Sequence, residues 1–324
     1  MKTIRWGIIG CGHVCEVKSG PALLRSRNAA IAAVMRRDLG AARDFAKRFG
    51  VPHVYDDAEV LLNDPTVDAV YIATPPAWHR HYTRMAAAAK KPVLVEKPMA
   101  MSVVEAEEMI ALCDAAGIPL FVNHFRRALP RFIEIKSRID AGAIGEVRSF
   151  TVSFSASRAL NDEPGADGWR LRAESGGNPF FDTACHHLDV LDYLLGTIAD
   201  VRAHVSRQAA HAHAPDVYTA SFRFDNGIQG VGSWCYNAGV TNDFVEILGT
   251  TGLLAFTVFD FEAPILLETE ETAEEIVVVP ELYVHRPFFE CVADTLNGKG
   301  QCNSTAATAL RTVRIMDRIL AQAA

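Results

Sequence analysis

A few short stretches of this chain carry residue types at spacings that suit chemistry. Gly7-Ile8-Ile9-Gly10-Cys11-Gly12-His13-Val14-Cys15 follows an apolar run and opens a helical pattern, the context in which a G-x-G-x-x-G/A fingerprint cradles a pyrophosphate. Gly10 allows the tight turn, Gly12 lets the backbone approach the phosphates, and a helix starting near His13 and Val14 offers free N–H groups to them. Ala73-Thr74-Pro75-Pro76-Ala77-Trp78-His79 and Val95-Glu96-Lys97-Pro98 each follow a strand-like run, and ligands of open α/β sheets bind at carboxyl ends of strands. Asp182 and His186 are i, i+4 in a helical pattern and share one face, whereas His187 shares its face with Leu191, Leu194 and Leu195. A histidine titrates near neutral pH and can take or give a proton there.

A further pair bears on which dinucleotide is bound. The strand Ile31–Met35 ends in Arg36-Arg37-Asp38, so the first residue beyond it is a cation. NAD-preferring domains place an acid near this position to meet the ribose hydroxyls, whereas a guanidinium suits a 2′-phosphate. The expected cofactor is therefore NADP, with NAD as the alternative; Arg36 is the phosphate ligand, and Arg37 stacks on adenine or reaches the phosphate. The competing reading makes both arginines surface charges and sends Asp38 to the ribose.

The elements that must position these residues follow from periodicity. Ile4–Ile9, Ile31–Met35, Ala69–Ala73, Pro92–Val95 and Pro119–Asn123 read as strands between alanine-rich helical segments, a rhythm that implies a parallel sheet covered on both faces. Ala41–Phe49 stops at Gly50, and Met101–Ala116 starts at a Ser102 cap and stops at Gly117. From about residue 146 the pattern becomes alternating: Val147–Ala156, Ile198–Gln208, Tyr218–Phe224, Ile228–Tyr236, Asp243–Gly249 and Gly252–Phe256 predict one mostly antiparallel sheet. Asn226-Gly227 predicts a two-residue hairpin turn with both residues at positive φ, and Glu262–Pro280 a further hairpin with an acidic tip. Helices are expected over Leu129–Ala141, from Asp182 to Leu195, over His285–Leu296 and over Ser304–Gln322. The fold class is α/β: residues 1–123 a Rossmann dinucleotide-binding domain, residues 124–324 an α+β substrate-binding and oligomerisation domain with an open sheet.

With 324 residues, 49% hydrophobic and 22% charged, the chain can bury two cores. A net charge of −7 with no basic stripe argues against nucleic acid. No apolar run approaches the roughly 20 residues of a membrane helix. Seven scattered cysteines without a C-x-x-C pair suit a reducing compartment, and a cytoplasmic protein without a bound metal is expected. A hydrolytic metal cluster of Cys185, His186, His187 and Asp189 is disfavoured because adjacent helical residues point about 100° apart.

Taken in order, the glycine loop at 7–12, Ala73-Thr74-Pro75 with His79, Glu96-Lys97-Pro98, and Gly176-Gly177 followed by Asp182 and His186 resemble the glucose-fructose oxidoreductase and inositol dehydrogenase family, Gfo/Idh/MocA. The resemblance covers essentially the whole chain. It implies a catalytic group of Lys97, Asp182 and His186, with Lys97 and Glu96 also at the cofactor together with Thr74, Pro75 and His79. It also implies a cis peptide before Pro98, and a homodimer or homotetramer built on the sheet. Cys15 in the glycine loop and Asn178, where a third glycine is common, depart from the pattern. Gly168-Trp169-Arg170-Leu171 resembles the substrate loop of sugar reductases, making Trp169 and Arg170 substrate candidates beside Arg126; a packed tryptophan with a solvated Arg170, and pairing of Arg126 and Arg127 with acidic neighbours, are the alternatives. The expected activity is hydride transfer between nicotinamide and a secondary hydroxyl or carbonyl of a sugar, polyol or cyclic diol. His186 then handles the proton, Asp182 orients it, and Lys97 steadies developing alkoxide charge. A nicotinamide-sensing regulator without turnover is the alternative, disfavoured because a sensor needs no proton relay.

Overall fold

The computed structural model describes residues 1–157, 173–209 and 214–322, which form two compact units. The first begins with β1 (Ile4–Ile9), a single π-helical turn (Cys15–Ser19) running into α1 (Gly20–Arg25), β2 (Ala29–Met35), α2 (Leu39–Phe49), β3 (His53–Tyr55) and α3 (Ala58–Asn63). It continues through β4 (Ala69–Ile72), α4 (His79–Ala88), β5 (Val93–Val95), α5 (Val103–Ala116) and β6 (Leu120–Val122). The six strands are parallel in the order β3-β2-β1-β4-β5-β6. The order reverses between β1 and β4, so the crevice for a ligand opens at the carboxyl ends of these two strands, where Gly10 and Thr74 lie. The three-residue β3 was not singled out by the sequence pattern; its residues are only half-buried, as befits an edge strand.

Local chemistry sets the boundaries, and α2 starts two residues before the expected Ala41. Asp38 caps α2 by accepting from Ala41 N, and Gly50 closes it in the left-handed region. Ser102 caps α5 and Gly117 closes it in the same way. Ile9, Val70, Ile72 and Val95 of the sheet pack with Leu61, Ala86 and Met109 of the covering helices, each of the larger side chains contributing about 1.5–3 kcal/mol when fully buried.

The second unit comprises α6 (Pro130–Asp140), β7 (Val147–Ser157), α7 (Pro179–Leu195), β8 (Ile198–Ser206), β9 (Val217–Phe224), β10 (Gln229–Ala238), β11 (Asn242–Gly249), β12 (Gly252–Phe256), β13 (Ile265–Thr269) and β14 (Ala273–Ile276). Eight strands run β14-β13-β12-β11-β7-β10-β9-β8, antiparallel except for β7 against β10. Burial alternates along β7 and β9, so one face is covered and the other open. Phe180 of α7 stacks on Tyr218 and meets Trp234 edge-on in the covered face. The hairpin at Asn226-Gly227 forms, but with a different turn: only Gly227 has positive φ, Gly227 N donates to Phe224 O and Phe224 N to Ile228 O. This is a type I turn closed by a left-handed glycine, a three-residue loop. Asn226 is held out of the left-handed region while its Nδ2 donates to Leu195 O at 2.8 Å, sealing the end of α7.

The units do not divide at a single point after residue 123. Leu282–Val313, including α8 (Arg286–Leu296) and the first half of α9 (Ala306–Leu320), belongs with Met1–Ala128 and Glu174–Gly176. The physical reason is apolar: Phe289 packs edge-on against Trp6 and Tyr71, and Ala309 and Val313 join the core of the parallel sheet. Among the described residues no helix is long and apolar enough to cross a membrane.

Candidate active site

In the first unit, the chain turns sharply after β1. Gly10 has φ +90°, and a methyl there would lie 2.7 Å from Thr74 Cγ2 and 3.0 Å from Thr74 N, so the residue must be glycine both for its dihedral and for the closeness of the β4 loop. Gly12 O accepts from Cys15 N and Glu16 N, starting the helical turn at His13 and Val14, which are exposed and half-buried. Cys15 fits the third loop position by facing inward, its Sγ 3.8 Å from Gly10 O. Burial pushes the Cys11 thiol up to about 11 and holds Cys15 well above the usual thiol range, so both stay protonated at neutral pH.

Beyond β2, Arg36 N donates to Tyr55 O and its guanidinium Nη1 lies 3.5 Å from Cys11 O, beside the glycine turn. Arg37 lies over the Trp78 ring at 5.5 Å. Asp38, the competing ribose ligand, has Oδ1 occupied by the α2 cap. A cavity of about 470 Å³ opens at the carboxyl ends of β2 and β3, lined by Met35, Arg37, Asp56, Asp57, His81 and Tyr82.

His79 is fully buried. Its Nε2 lies 2.8 Å from Thr74 O and its Nδ1 3.1 and 3.2 Å from Pro98 O and Met99 O. Burial holds its pKa below the usual histidine range against the raising effect of those carbonyls. His79, expected among the cofactor residues as a positioning or packing side chain, ties the Thr74-Pro75 loop to the Pro98 loop. The Lys97-Pro98 peptide is cis. Lys97 is half-buried, and its backbone N donates to Glu96 Oε2 at 3.2 Å. Glu96 Oε1 accepts from the Tyr71 hydroxyl and from Asn123 Nδ2 at 2.6 Å, so the acid of the triplet faces inward and anchors the lysine's backbone rather than a ligand. Arg126 is buried with its guanidinium over Phe125.

In the second unit, Asn178 caps α7, its Oδ1 accepting from Phe180 N at 2.9 Å, which accounts for an asparagine where glycine is common. Asp182 is half-buried one turn before the buried His186, whose ring meets Phe259 edge-on at 5.7 Å. His187 faces elsewhere, between Phe154, Phe259 and Trp234. Trp234 Nε1 donates to its Nδ1 at 3.4 Å, which puts the ring proton on Nε2, 3.2 Å from Asp243 Oδ1. Trp169 and Arg170 lie outside the described residues. Among the described residues no group of three or more His, Cys, Asp and Glu side chains is placed to hold a metal.

Sequence reasoning missed Ser19, Tyr71, Asn123 and His285, which surround Glu96 in the interior. Tyr71 sits inside a fully buried strand and reads as core; no local pattern marks the others.

The dinucleotide implied by this fold fits the first unit: a glycine in the left-handed region at the switch point, a helix N-terminus after it, a guanidinium beside the turn, and the buried Thr74 Oγ1, which has no protein partner. A parallel-sheet unit with such a turn, joined to an open antiparallel sheet unit, defines a nicotinamide-dependent oxidoreductase. Residues 4–124 match the family model described as "Oxidoreductase family, NAD-binding Rossmann fold", and residues 132–255 the GFO/IDH/MocA C-terminal domain. The chain belongs to the GFO/IDH/MocA family and is an NAD(P)-dependent oxidoreductase acting on CH–OH groups. An oxidoreductase of Formosa agariphila is 36% identical over 79% of this chain and 80% of its own length. D-apiose dehydrogenase of Rhizobium rhizogenes is 31% identical over 78% and 73%. The crystal structure of a 3-ketoreductase from Actinomadura kijaniata in complex with NADP and TDP-benzene superposes with a TM-score of 0.85 at 26% identity, covering 99% of this chain and 98% of that one.

Proposed function

We propose that the protein is an NADP-dependent dehydrogenase or reductase that moves hydride between nicotinamide and a secondary hydroxyl or carbonyl of a sugar, polyol or cyclic diol. The observation that carries it is Lys97, held at the carboxyl end of β5 by the Glu96 anchor, in the same unit as the Gly10 turn. The NADP preference is supported by Arg36 beside the glycine turn and by Asp38 being engaged as a helix cap. The substrate class is supported by relatives named for dehydrogenation or reduction of sugars and diols, among them D-apiose dehydrogenase, 1,5-anhydro-D-fructose reductase of Ensifer adhaerens and trans-1,2-dihydrobenzene-1,2-diol dehydrogenase of Mus musculus.

The Gly10 turn and Arg36 would hold the dinucleotide, whose nicotinamide would supply the hydride-accepting and hydride-donating chemistry. Removing hydride from an alcohol carbon requires the hydroxyl proton to leave as well, and His186 takes it, giving it back in reduction. Asp182, one helical turn away, orients the imidazole and favours its charged form. The Lys97 ammonium steadies the charge developing on the substrate oxygen. Phe259 packs on the edge of His186 and limits water around it.

A spectrophotometric screen of sugars, inositols and vicinal diols with both cofactors tests the proposal. Turnover with NADP(H) preferred is expected. Cofactor binding without turnover across the panel contradicts an enzyme of this class, and an NAD(H) preference contradicts the role given to Arg36.

A further inference from the structure

Beneath Lys97 five buried side chains close a ring of polar contacts: Ser19, Tyr71, Glu96, Asn123 and His285. The Tyr71 hydroxyl donates to Glu96 Oε1 and lies 2.8 Å from Ser19 Oγ; Ser19 Oγ lies 3.0 Å from His285 Nδ1; Asn123 Nδ2 lies 3.2 Å from the same nitrogen and donates to Glu96 Oε1 at 2.6 Å. Five separate pieces of chain contribute: the π turn after the glycine loop, β4, the end of β5, the end of β6, and the residue preceding α8. His285 lies beyond both segments matched by the family models, at residues 4–124 and 132–255.

The protons can be placed. An amide oxygen cannot face Glu96 Oε1 at 2.6 Å, so the Asn123 nitrogen is on that side, and the same nitrogen, a donor only, meets His285 Nδ1. Nδ1 therefore presents its lone pair, and His285 is neutral with its proton on Nε2. Burial, with the Lys18, Arg126 and Lys97 cations nearby, holds its pKa well below the usual histidine range, which agrees. Phe125 covers the ring at 4.5 Å and Phe289 lies at 6.5 Å, so it has little freedom to turn. Glu96 then has Oε1 committed to Tyr71 and Asn123, leaving Oε2 to accept from Lys97 N at 3.2 Å.

We propose that His285 is a positioning residue for Lys97: as the fixed acceptor for Asn123 at Nδ1 it holds Glu96 in the one orientation that secures the lysine's backbone. The inference deepens the role given to Lys97 and rests on that reading. Without an acceptor at Nδ1, Asn123 has a buried N–H without a partner and turns to satisfy it, which frees Glu96. The lysine then loses register with the substrate oxygen, and a misplacement of about 1 Å costs about 10²-fold in rate.

The test compares wild type, His285→Leu, which keeps bulk and removes the acceptor, and His285→Asn, which restores an acceptor near Nδ1. Expected for His285→Leu is a kcat lower by about 10- to 100-fold, a cofactor KM within about threefold, and a larger primary deuterium isotope effect as the chemical step becomes limiting. His285→Asn recovers most of the rate. Amide hydrogen exchange across residues 95–99 rises in His285→Leu and not in His285→Asn. Unchanged kcat per folded molecule, unchanged exchange at Lys97, or an asparagine variant no better than leucine overturns the proposal. Should His285→Leu not fold, Asn123→Leu removes the donor from the other side of the same contact and is read by the same measures. If wild type turns over nothing in the substrate panel, the reading of function fails, while exchange at Lys97 in these variants still decides the role of His285.

Discussion

His186 and His187 are neighbours in sequence with opposite surroundings, and replacing His187 separates structure from chemistry. In His187→Leu, Asp243 Oδ1 loses the Nε2–H that faces it at 3.2 Å, and the fully buried Trp234 Nε1–H loses its acceptor. The first loss costs about 1.5–3 kcal/mol and the second about 1–3, together about 3–5 kcal/mol, since Asp243 Oδ2 keeps the N–H groups of Val258 and Phe259. For a unit of this size about 3 °C of Tm is lost per kcal/mol, so Tm should fall by about 10–15 °C. Burial pushes the Asp243 carboxyl up, but the His187 hydrogen bond and the two backbone N–H groups bring it below the usual carboxylate range. A depressed carboxylate stabilises the fold above its unfolded pKa of about 3.9 and loses that contribution as pH falls through the folded value. Wild type should therefore weaken only below about pH 4, and His187→Leu should begin to weaken at higher pH. Calorimetry across pH, with kcat measured per folded molecule, is the assay. A kcat fall beyond about tenfold with Tm unchanged would show that His187 belongs to the chemistry and that its pairing with Asp243 has been given the wrong role.

Gly10→Ala should destabilise the first unit by about 2–5 kcal/mol, from the left-handed φ and the 2.7 Å approach to Thr74, and weaken binding of either dinucleotide; thermal unfolding with and without cofactor reads both. Arg36→Ala should raise the NADPH KM by about 10- to 100-fold, the worth of a charge-assisted contact, and leave that for NADH within about threefold. An unchanged NADPH KM would return Arg36 to the solvated surface.

Much of the scaffold was legible because it is written locally. The glycine turn, the Ser102 cap, the left-handed glycines ending α2 and α5, and the two-residue alternation in β7 and β9 are each set within a few residues. Asn226-Gly227 marked its hairpin correctly, yet the turn type escaped because Asn226 is held by Leu195, an interaction 31 residues away. The division of the chain after residue 123 missed the return of α8 and the first half of α9 to the first unit, since an amphipathic helix does not say which core it covers. His79 showed a strand-end position but not that its ring is wholly buried against backbone carbonyls. The ring around Glu96 was the least visible, because Ser19 and His285 meet across 266 residues and neither lies in a pattern that distinguishes it from ordinary interior.

The central claim is that Lys97 and His186 act on the reacting substrate rather than on the fold or on cofactor affinity. Its most direct test is the kcat of Lys97→Ala and of His186→Ala on the best substrate of the panel, measured beside cofactor Kd and Tm. Each variant should lose about 10²- to 10⁴-fold in kcat with Kd and Tm close to wild type. A kcat within about threefold of wild type in either variant would contradict the role assigned to that residue.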